Sequence, residues 1–135
     1  MHDVLHNKGQ VFLHILCHRE FTYFMNDNDW MGRNFFTGGT IPSTKLFQFF
    51  NDHLKVQDTW YLNGKDYGKT LDAWLNKMQD KKDEVISIFK KSGYADPYLE
   101  FQKWRMFYLM SSESFAYGEG NEWMVGYYLL RKVNS

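Results

Sequence analysis

The amino-acid sequence predicts an α/β domain in which strands and helices alternate incompletely. Residues 11–18, VFLHILCH, form a nearly continuous apolar run, which is typical of a strand covered on both faces. Apolar residues recur at helical spacing from Tyr67 onward, and another apolar run follows a Gly-rich turn near the end of the chain. The predicted order is strand, helix, strand, helix, helix, strand. A first strand buried on both faces needs neighbours on both sides, so the pattern indicates part of a larger sheet.

The composition favours one domain, or part of one, in a chain of 135 residues. Sixteen basic residues balance sixteen acidic ones, which argues against a nucleic acid as partner. The single Cys17 excludes an internal disulfide and fits a reducing compartment. The apolar run Val11–Leu16 is too short to span a bilayer and lacks the features of a signal peptide. We therefore expect a cytoplasmic protein with no transmembrane segment.

In the first half of the chain, the strand Val11–His18 precedes a polar loop with interspersed aromatics, Glu20–Arg33. The stretch FFTGGTIPS follows, where two adjacent glycines provide backbone freedom and Pro42 stiffens the exit. Ser43 is a suitable N-cap for the apolar residues after it. We therefore predict a helix from about Ser43 to His53.

In the second half, a short strand over Val56–Leu62 ends at an Asn-Gly pair. From Tyr67 to Phe89 the apolar spacing predicts one long amphipathic helix, with the stem of a lysine bridging a polar gap. Asp96 and a first-turn proline then start a helix to about Ser114. That helix is apolar almost all round, so it is expected to be buried on several sides or to cover a cavity. The turn 118–121 leads into a last strand, Trp123–Leu130.

Five side chains are candidates for chemistry from the residues alone. His14 and His18 share one face of the first strand, but the sequence shows no third ligand and we predict no metal site. For His14 a hydrogen-bonded core histidine is favoured, and for Cys17 a buried structural thiol. Glu113 suits either a cationic ligand or an exposed helix end. Tyr67 is somewhat better explained as a packed aromatic than as a ligand group.

Four motifs in register resemble one enzyme family, and together they cover nearly all of the chain from Val11. They read FLHILCHREF, WMGRNFFTGGTIPS, WYLNGKDYGKTLDAWL and KWRMFYLMSSESFAYGEGNEWMVGYYLLRK. The chain resembles the C-terminal part of the cyclopropane-fatty-acyl-phospholipid synthases and coclaurine N-methyltransferase-like enzymes. The resemblance implies the C-terminal portion of a Rossmann-like class I methyltransferase fold. Its three strands would be the fifth, seventh and sixth in spatial order, the seventh antiparallel, with helices packed on them.

The resemblance also implies roles for particular residues. His14 and Tyr67 match a histidine and a tyrosine that hold bicarbonate in the cyclopropane synthases, and they are the catalytic candidates. The stretch FFTGGTIPS would border the acceptor pocket. Trp104 and Phe107 match positions that line the amine pocket of the coclaurine-like branch. The full set of substrate-binding candidates is Phe35, Phe36, Trp104, Phe107, Tyr108 and Glu113.

The implied activity is methyl transfer from S-adenosylmethionine to a small amine. Residues 1–135 would be a partial methyltransferase domain, and most of the cofactor site would lie in a preceding half, so no cofactor-binding residue is assigned here. We accordingly expect the 135-residue chain alone to be inactive. Two alternatives stay open: methylene transfer to an unsaturated lipid acyl chain, and an inactive truncated chain that acts as a binding or dimerisation module, including a homo-oligomer.

Overall fold

The computed structural model describes residues 5–6 and 8–133. Within that range the chain forms five strands, four α-helices and two 3₁₀ turns. The strands are β1 (Gln10–His18), β2 (Tyr23–Phe24), β3 (Thr40–Ile41), β4 (Leu54–Leu62) and β5 (Trp123–Lys132). The α-helices are α1 (Trp30–Asn34), α2 (Gly64–Asp80), α3 (Lys82–Lys91) and α4 (Pro97–Ala116). Two 3₁₀ turns cover Leu46–Phe49 and Tyr117–Gly120.

The main sheet has three strands in the order β1-β5-β4. Strand β5 lies in the middle and is antiparallel to both neighbours, so that Tyr127 faces His14 on one side and Trp60 on the other. A sheet of three antiparallel strands with helices packed on it agrees with the α/β class that the sequence predicts. The short strands β2 and β3 form a separate antiparallel pair.

The core lies on both faces of the sheet. Helices α2 and α4 cover one face, where Leu71, Phe115 and Val125 form a buried cluster. Tyr128 is three residues beyond Val125 in β5 and therefore points to the opposite face. There it is fully buried with Cys17, and its hydroxyl donates a hydrogen bond to the Thr44 carbonyl at 2.9 Å.

The prediction that β1 is buried on both faces is wrong. Its first half alternates between exposed and half-buried residues, and only Cys17 and His18 at its C-terminal end are buried. The reason is the position of the strand, because β1 pairs with β5 alone among the described strands. The chain folds back over the C-terminal end only, where the His18 amide donates to the Pro42 carbonyl and the Thr44 amide donates to the His18 carbonyl.

The predicted helix from Ser43 to His53 is also wrong, since only a 3₁₀ turn forms at Leu46–Phe49. Ser43 does not cap it. Instead Ser43 makes a parallel bridge with His18, and its amide donates to the Thr22 hydroxyl at 2.8 Å. The backbone groups around Ser43 that pair with β1 cannot also make the hydrogen bonds that start a helix. The preceding polar loop is more ordered than predicted, because it contains β2 and the short helix α1.

The single long helix predicted from Tyr67 to Phe89 is two helices that break at Lys81. Lys81 has φ −105° and ψ 28°, outside the helical region. Between Met78 and Val85 no apolar side chain is available to pack, so tertiary contacts do not hold the helix together there. The ammonium of Lys82, whose stem the sequence predicts to bridge that gap, lies 5.1 Å from the ring centre of Tyr98.

The start of α4 and the turn after it agree with the sequence. The Asp96 side chain accepts a hydrogen bond from the Leu99 amide at 2.9 Å, and a proline occupies the first turn. After α4, Gly118 and Gly120 have positive φ, as does Glu119 between them. Positive φ favours glycine, so this segment turns sharply into β5.

Candidate functional site

A cavity of about 400 Å³ lies between the C-terminal end of β1, helices α2 and α4, and the segment of residues 23–41. The first residue of β5 closes one side of it. Nine of the sixteen lining residues are aromatic. The lining comprises Leu16, Tyr23, Met25, Met31, Phe36, Ile41, Tyr67, Leu71, Trp74, Trp104, Phe107, Tyr108, Ser111, Ser114, Phe115 and Trp123.

Helix α4 forms an aromatic wall of this cavity. Trp104, Phe107 and Tyr108 are three and four residues apart, so the helix period places them on one face. Their rings contact one another, with 5.6 Å between the ring centres of Trp104 and Phe107. The opposite side of α4 is more open, since Met106 and Met110 are partly exposed. Thus α4 covers a cavity, one of the two outcomes predicted for it.

The two phenylalanines of FFTGGTIPS pack against this wall. The Phe35 ring packs at a tilt of 35° against Phe107, with 4.6 Å between ring centres, and it meets Trp104 edge-on at 5.0 Å. Phe36 lines the cavity itself and lies 5.9 Å from Phe107. Gly38, with φ 69°, makes the turn that follows. The stretch therefore borders the cavity, with Phe36 facing the interior and Phe35 supporting the wall.

Tyr67 reaches the cavity from the beginning of α2. The Asn63 side chain caps this helix by accepting from the Lys65 amide, so the first turn is fixed directly after β4. Tyr67 packs on Phe115 with 4.7 Å between ring centres. Burial, with a smaller contribution from Tyr67, raises the pKa of the Tyr108 phenol, so this hydroxyl stays protonated at neutral pH.

The described lining of the cavity carries no formally charged side chain. Its polar side-chain groups are the hydroxyls of tyrosines and of Ser111 and Ser114, together with the indole N–H groups of three tryptophans. An apolar cavity with a few hydroxyl groups suits a flat, largely apolar small molecule. Such a lining also disfavours a charged ligand through desolvation, apart from the attraction of aromatic faces for a cation.

Tyr23 and Trp123 belong to the site although sequence reasoning did not select them. The Trp123 indole donates a hydrogen bond to the Tyr23 hydroxyl at 2.8 Å, which joins the start of β5 to β2. Trp74 is a further lining residue that was regarded only as part of a helix face. The aromatic residues inside the polar segment FTYFM were a signal for Tyr23, but spacing does not show which strand they approach.

The catalytic candidate His14 and the substrate-binding candidate Glu113 do not line the cavity. His14 is exposed and stacks on Tyr127, with 4.8 Å between ring centres and 7° between ring planes. It is therefore not a core histidine in this structure. Glu113 is exposed near the end of α4 and does not line the cavity. The structure thus brings together Phe36, Tyr67 and the α4 aromatics, but not these two residues.

No group of histidine, cysteine, aspartate and glutamate side chains within residues 5–6 and 8–133 could hold a metal ion. Cys17 is fully buried, and burial raises the pKa of its thiol. A protonated thiol is a poor nucleophile, which fits the structural role predicted for it. No helix in the described part of the chain is long and apolar enough to cross a membrane.

The fold and the cavity define an α/β unit that encloses a small aromatic site. Residues 1–121 match the family model of mycolic acid cyclopropane synthetase. The chain is 32% identical over 133 residues to (S)-coclaurine N-methyltransferase of Thalictrum flavum subsp. glaucum, and 31% identical over 133 residues to that of Papaver somniferum. Each alignment covers 92% of this chain and 37% of the relative. The chain therefore belongs to the cyclopropane synthase and coclaurine N-methyltransferase-like family of S-adenosylmethionine-dependent methyltransferases.

Solved structures agree with this assignment. Coclaurine N-methyltransferase bound to N-methylheliamine and SAH superposes with a TM-score of 0.81 at 31% identity, over 92% of this chain and 38% of that one. A mycolic acid cyclopropane synthase complexed with SAH and CTAB has a TM-score of 0.72 at 17% identity, over 98% and 47%. The second comparison shows a shared fold. The chain thus spans less than half the length of these relatives.

Proposed function

We propose that this chain forms the acceptor pocket of an S-adenosylmethionine-dependent N-methyltransferase whose substrate is a small aromatic amine. The observation that carries this proposal is the uncharged aromatic lining of the 400 Å³ cavity. The N-methyltransferases among its relatives and the N-methylheliamine bound to one of them support it. Within this proposal, β1, β5 and β4 correspond to the fifth, seventh and sixth strands of a Rossmann-like methyltransferase sheet.

The lining suits the two charge states through which an amine passes when it is methylated. Only the neutral amine has the lone pair that attacks a methyl group, and an apolar cavity favours the neutral form. As the nitrogen gains the methyl group it becomes positive. The faces of Trp104 and Phe107 then stabilise that charge by cation–π attraction, at about 0.5–2 kcal/mol for each good contact. Stabilisation that grows as the reaction proceeds is the kind that accelerates it.

S-adenosylmethionine supplies the methyl group in this family. The cavity lining contains no carboxylate that could bind a ribose, and the described residues contain no G-x-G-x-x-G turn opening a helix. These residues do not by themselves fit the cofactor, so this chain's contribution is to hold and orient the acceptor and exclude water. For bicarbonate the residues also fall short, because His14 does not line the cavity that Tyr67 lines.

Tyr67 is the catalytic candidate that the geometry favours, because its ring lines the cavity near Tyr108. We propose that its hydroxyl relays the proton that the methylated amine releases, passing its own O–H proton to water as it takes the proton of the amine. A catalytic role for His14 is implied by the resemblance alone, and it stays a prediction.

Binding of N-methylheliamine to the purified chain tests the pocket directly. We expect the amine to quench tryptophan fluorescence saturably, because Trp74, Trp104 and Trp123 line the cavity. Trp104→Ala should weaken binding about tenfold or more, given that aromatic contacts with a cation or ring are worth about 1–2 kcal/mol. Phe49→Leu is the matched control, because Phe49 is 75% exposed and outside the lining.

A methyl-transfer assay on the full-length protein then separates the open alternatives. Transfer of a labelled methyl group to a secondary aromatic amine supports the proposal. Labelling of an unsaturated acyl chain instead would identify the cyclopropane synthase type of activity. Failure of N-methylheliamine to bind, or equal binding by the wild type and Trp104→Ala, would leave the chain as an interaction module and contradict the proposal.

A further inference from the structure

His18 occupies an unusual position at the end of β1. Its side chain is 6% exposed, and its Nδ1 accepts hydrogen bonds from the amides of Glu20 at 3.1 Å and Phe21 at 2.9 Å. A ring nitrogen that accepts carries no proton, so the proton of the neutral imidazole is on Nε2. Nε2 lies 3.2 Å from a carboxylate oxygen of Glu122. The ring thus sits between a backbone turn on one side and a carboxylate on the other.

Backbone hydrogen bonds at His18 and Arg19 hold the two ends of the segment that walls the cavity, which we name the pocket loop (residues 19–44). At its start, the Arg19 amide donates to the Glu122 carbonyl at 2.8 Å. At its end, the His18 amide donates to Pro42 and the Thr44 amide donates to His18, each at 2.9 Å. The pocket loop therefore leaves from His18 and returns to it.

The imidazole also touches the two lining residues that join the pocket loop to β5. It lies 5.2 Å from the Trp123 ring and 6.1 Å from the Tyr23 ring, both edge-on. These are the residues linked by the 2.8 Å hydrogen bond from the Trp123 indole to the Tyr23 hydroxyl. Tyr23 in turn pairs with Ile41, which also lines the cavity. One side chain outside the lining thus contacts two residues of the lining, Tyr23 and Trp123.

We infer that His18, oriented by Glu122, is a positioning residue that fixes the Tyr23–Trp123 wall and so sets the affinity of the cavity for its ligand. The class of ligand in this inference rests on the proposed function. The geometry of the Tyr23–Trp123 wall is independent of that function, because it depends on hydrogen bonds within this chain. A residue that only filled space would do the same with any side chain of similar volume. Here the acceptor at Nδ1 is what holds the first turn of the pocket loop.

Three substitutions separate the effects of the hydrogen-bond acceptor at Nδ1, the negative charge of Glu122 and the volume of the side chain at position 18. His18→Leu retains bulk but removes both nitrogens. His18→Asn keeps an acceptor close to the position of Nδ1 and loses the contact with Glu122. Glu122→Gln keeps an oxygen beside Nε2 without the negative charge. Glu84→Gln is the control, because Glu84 is an exposed carboxylate paired with a lysine far from the cavity lining.

Amide hydrogen exchange measures how firmly His18 holds the first turn of the pocket loop, and it needs no ligand. In His18→Leu the amides of Glu20 and Phe21 should exchange at least about tenfold faster, the equivalent of one lost hydrogen bond. His18→Asn should restore most of that protection, and Glu84→Gln should change nothing. Should His18→Leu fail to fold, the comparison of His18→Asn with Glu122→Gln decides. The inference predicts that the Glu20 and Phe21 amides stay protected in both of these variants. It also predicts a shift in Trp123 fluorescence in each variant that alters the contact between residue 18 and Glu122.

Titration with N-methylheliamine gives the second readout. We expect His18→Leu to bind about tenfold more weakly under conditions where its far-ultraviolet circular dichroism is unchanged, and His18→Asn to recover most of the affinity. Equal affinity of folded His18→Leu and wild type, or equal loss in Leu and Asn variants, would overturn the positioning role. If the wild type itself does not bind the amine, the proposed function fails, and amide exchange alone then decides the role of His18.

Discussion

Two glycines of helix α2 allow a sharp test of how the helix is seated beside the cavity. Gly64 is the first residue of α2, and a Cβ atom there would overlap the carbonyl oxygens of Phe115 and Trp123. Those oxygens belong to α4 and β5, both of which line the site. Gly68 lies one turn later, where a Cβ would be 3.5 Å from the Ser112 carbonyl oxygen, an ordinary contact. The same substitution to alanine should therefore have opposite effects.

The magnitudes follow from these contacts. Overpacking costs about 1–3 kcal/mol, and we expect Gly64→Ala at the upper end because backbone atoms on two elements must move. Gly68→Ala should stabilise by about 0.5–1 kcal/mol, the difference in helix propensity. With an unfolding entropy of about 2.1 cal/mol/K per residue over 135 residues, 1 kcal/mol corresponds to about 3.5 °C. Gly64→Ala should thus lower Tm by about 10 °C, and Gly68→Ala should raise it by about 2–3 °C.

Thermal unfolding followed by circular dichroism measures both shifts under one set of conditions. Gly68→Ala serves as the matched control, since it adds the same methyl group to the same helix. A Gly64→Ala variant as stable as the wild type would refute the close approach of α2 to α4 and β5. Equal destabilisation by both substitutions would show that the helix tolerates no methyl group, whatever the distance.

Four further outcomes are expected. Tyr67→Phe in the full-length protein should lower kcat at least about tenfold with little change in Tm, because it removes only the hydroxyl that handles the proton. Unchanged turnover would make Tyr67 a packing residue. Asp96→Ala should destabilise by about 1 kcal/mol through loss of the α4 cap, measured by urea unfolding, and no change would remove that cap's role. Burial raises the pKa of Cys17, so the folded state holds the thiol proton more tightly than the unfolded state does. The free energy of unfolding should therefore decline as pH rises above about 8.5, the ordinary pKa of a cysteine. Cys17→Ala should flatten that decline. The outer edge of β1 has no partner among the described strands and Phe12 on it is 58% exposed, so the chain should self-associate, and a monomer mass by light scattering at high concentration would contradict this.

The parts of the fold that could be predicted depend on local interactions. The cap at Asp96 works within one helical turn, and the glycines after α4 act through their own φ angles. That Trp104, Phe107 and Tyr108 share one face of α4 follows from the helix period. These signals need no knowledge of distant parts of the chain, so the sequence expresses them directly.

The parts that could not be predicted depend on distant partners. Ser43 has the chemistry of a cap, yet its backbone pairs with His18, twenty-five residues earlier in the chain. Tyr23 and Trp123 are a hundred residues apart and meet only because β1 and β5 are neighbours. The exposure of His14 likewise follows from the place of β1 at the sheet edge. No local periodicity encodes contacts of this kind.

The break at Lys81 separates the outer part of the helical layer from the part that shapes the cavity. Helix α2 ends at Asp80, α4 begins with its own cap at Asp96, and no residue from 81 to 96 lines the cavity. The intervening helix α3 packs against α4, where the Lys82 ammonium lies over the Tyr98 ring, and Phe89 packs on Tyr94 within the segment itself. Surface substitutions on the exposed side of this segment should therefore leave the residues that line the cavity unchanged. That exposed side is the natural place to attach a spectroscopic label that reports on the molecule without disturbing its ligand.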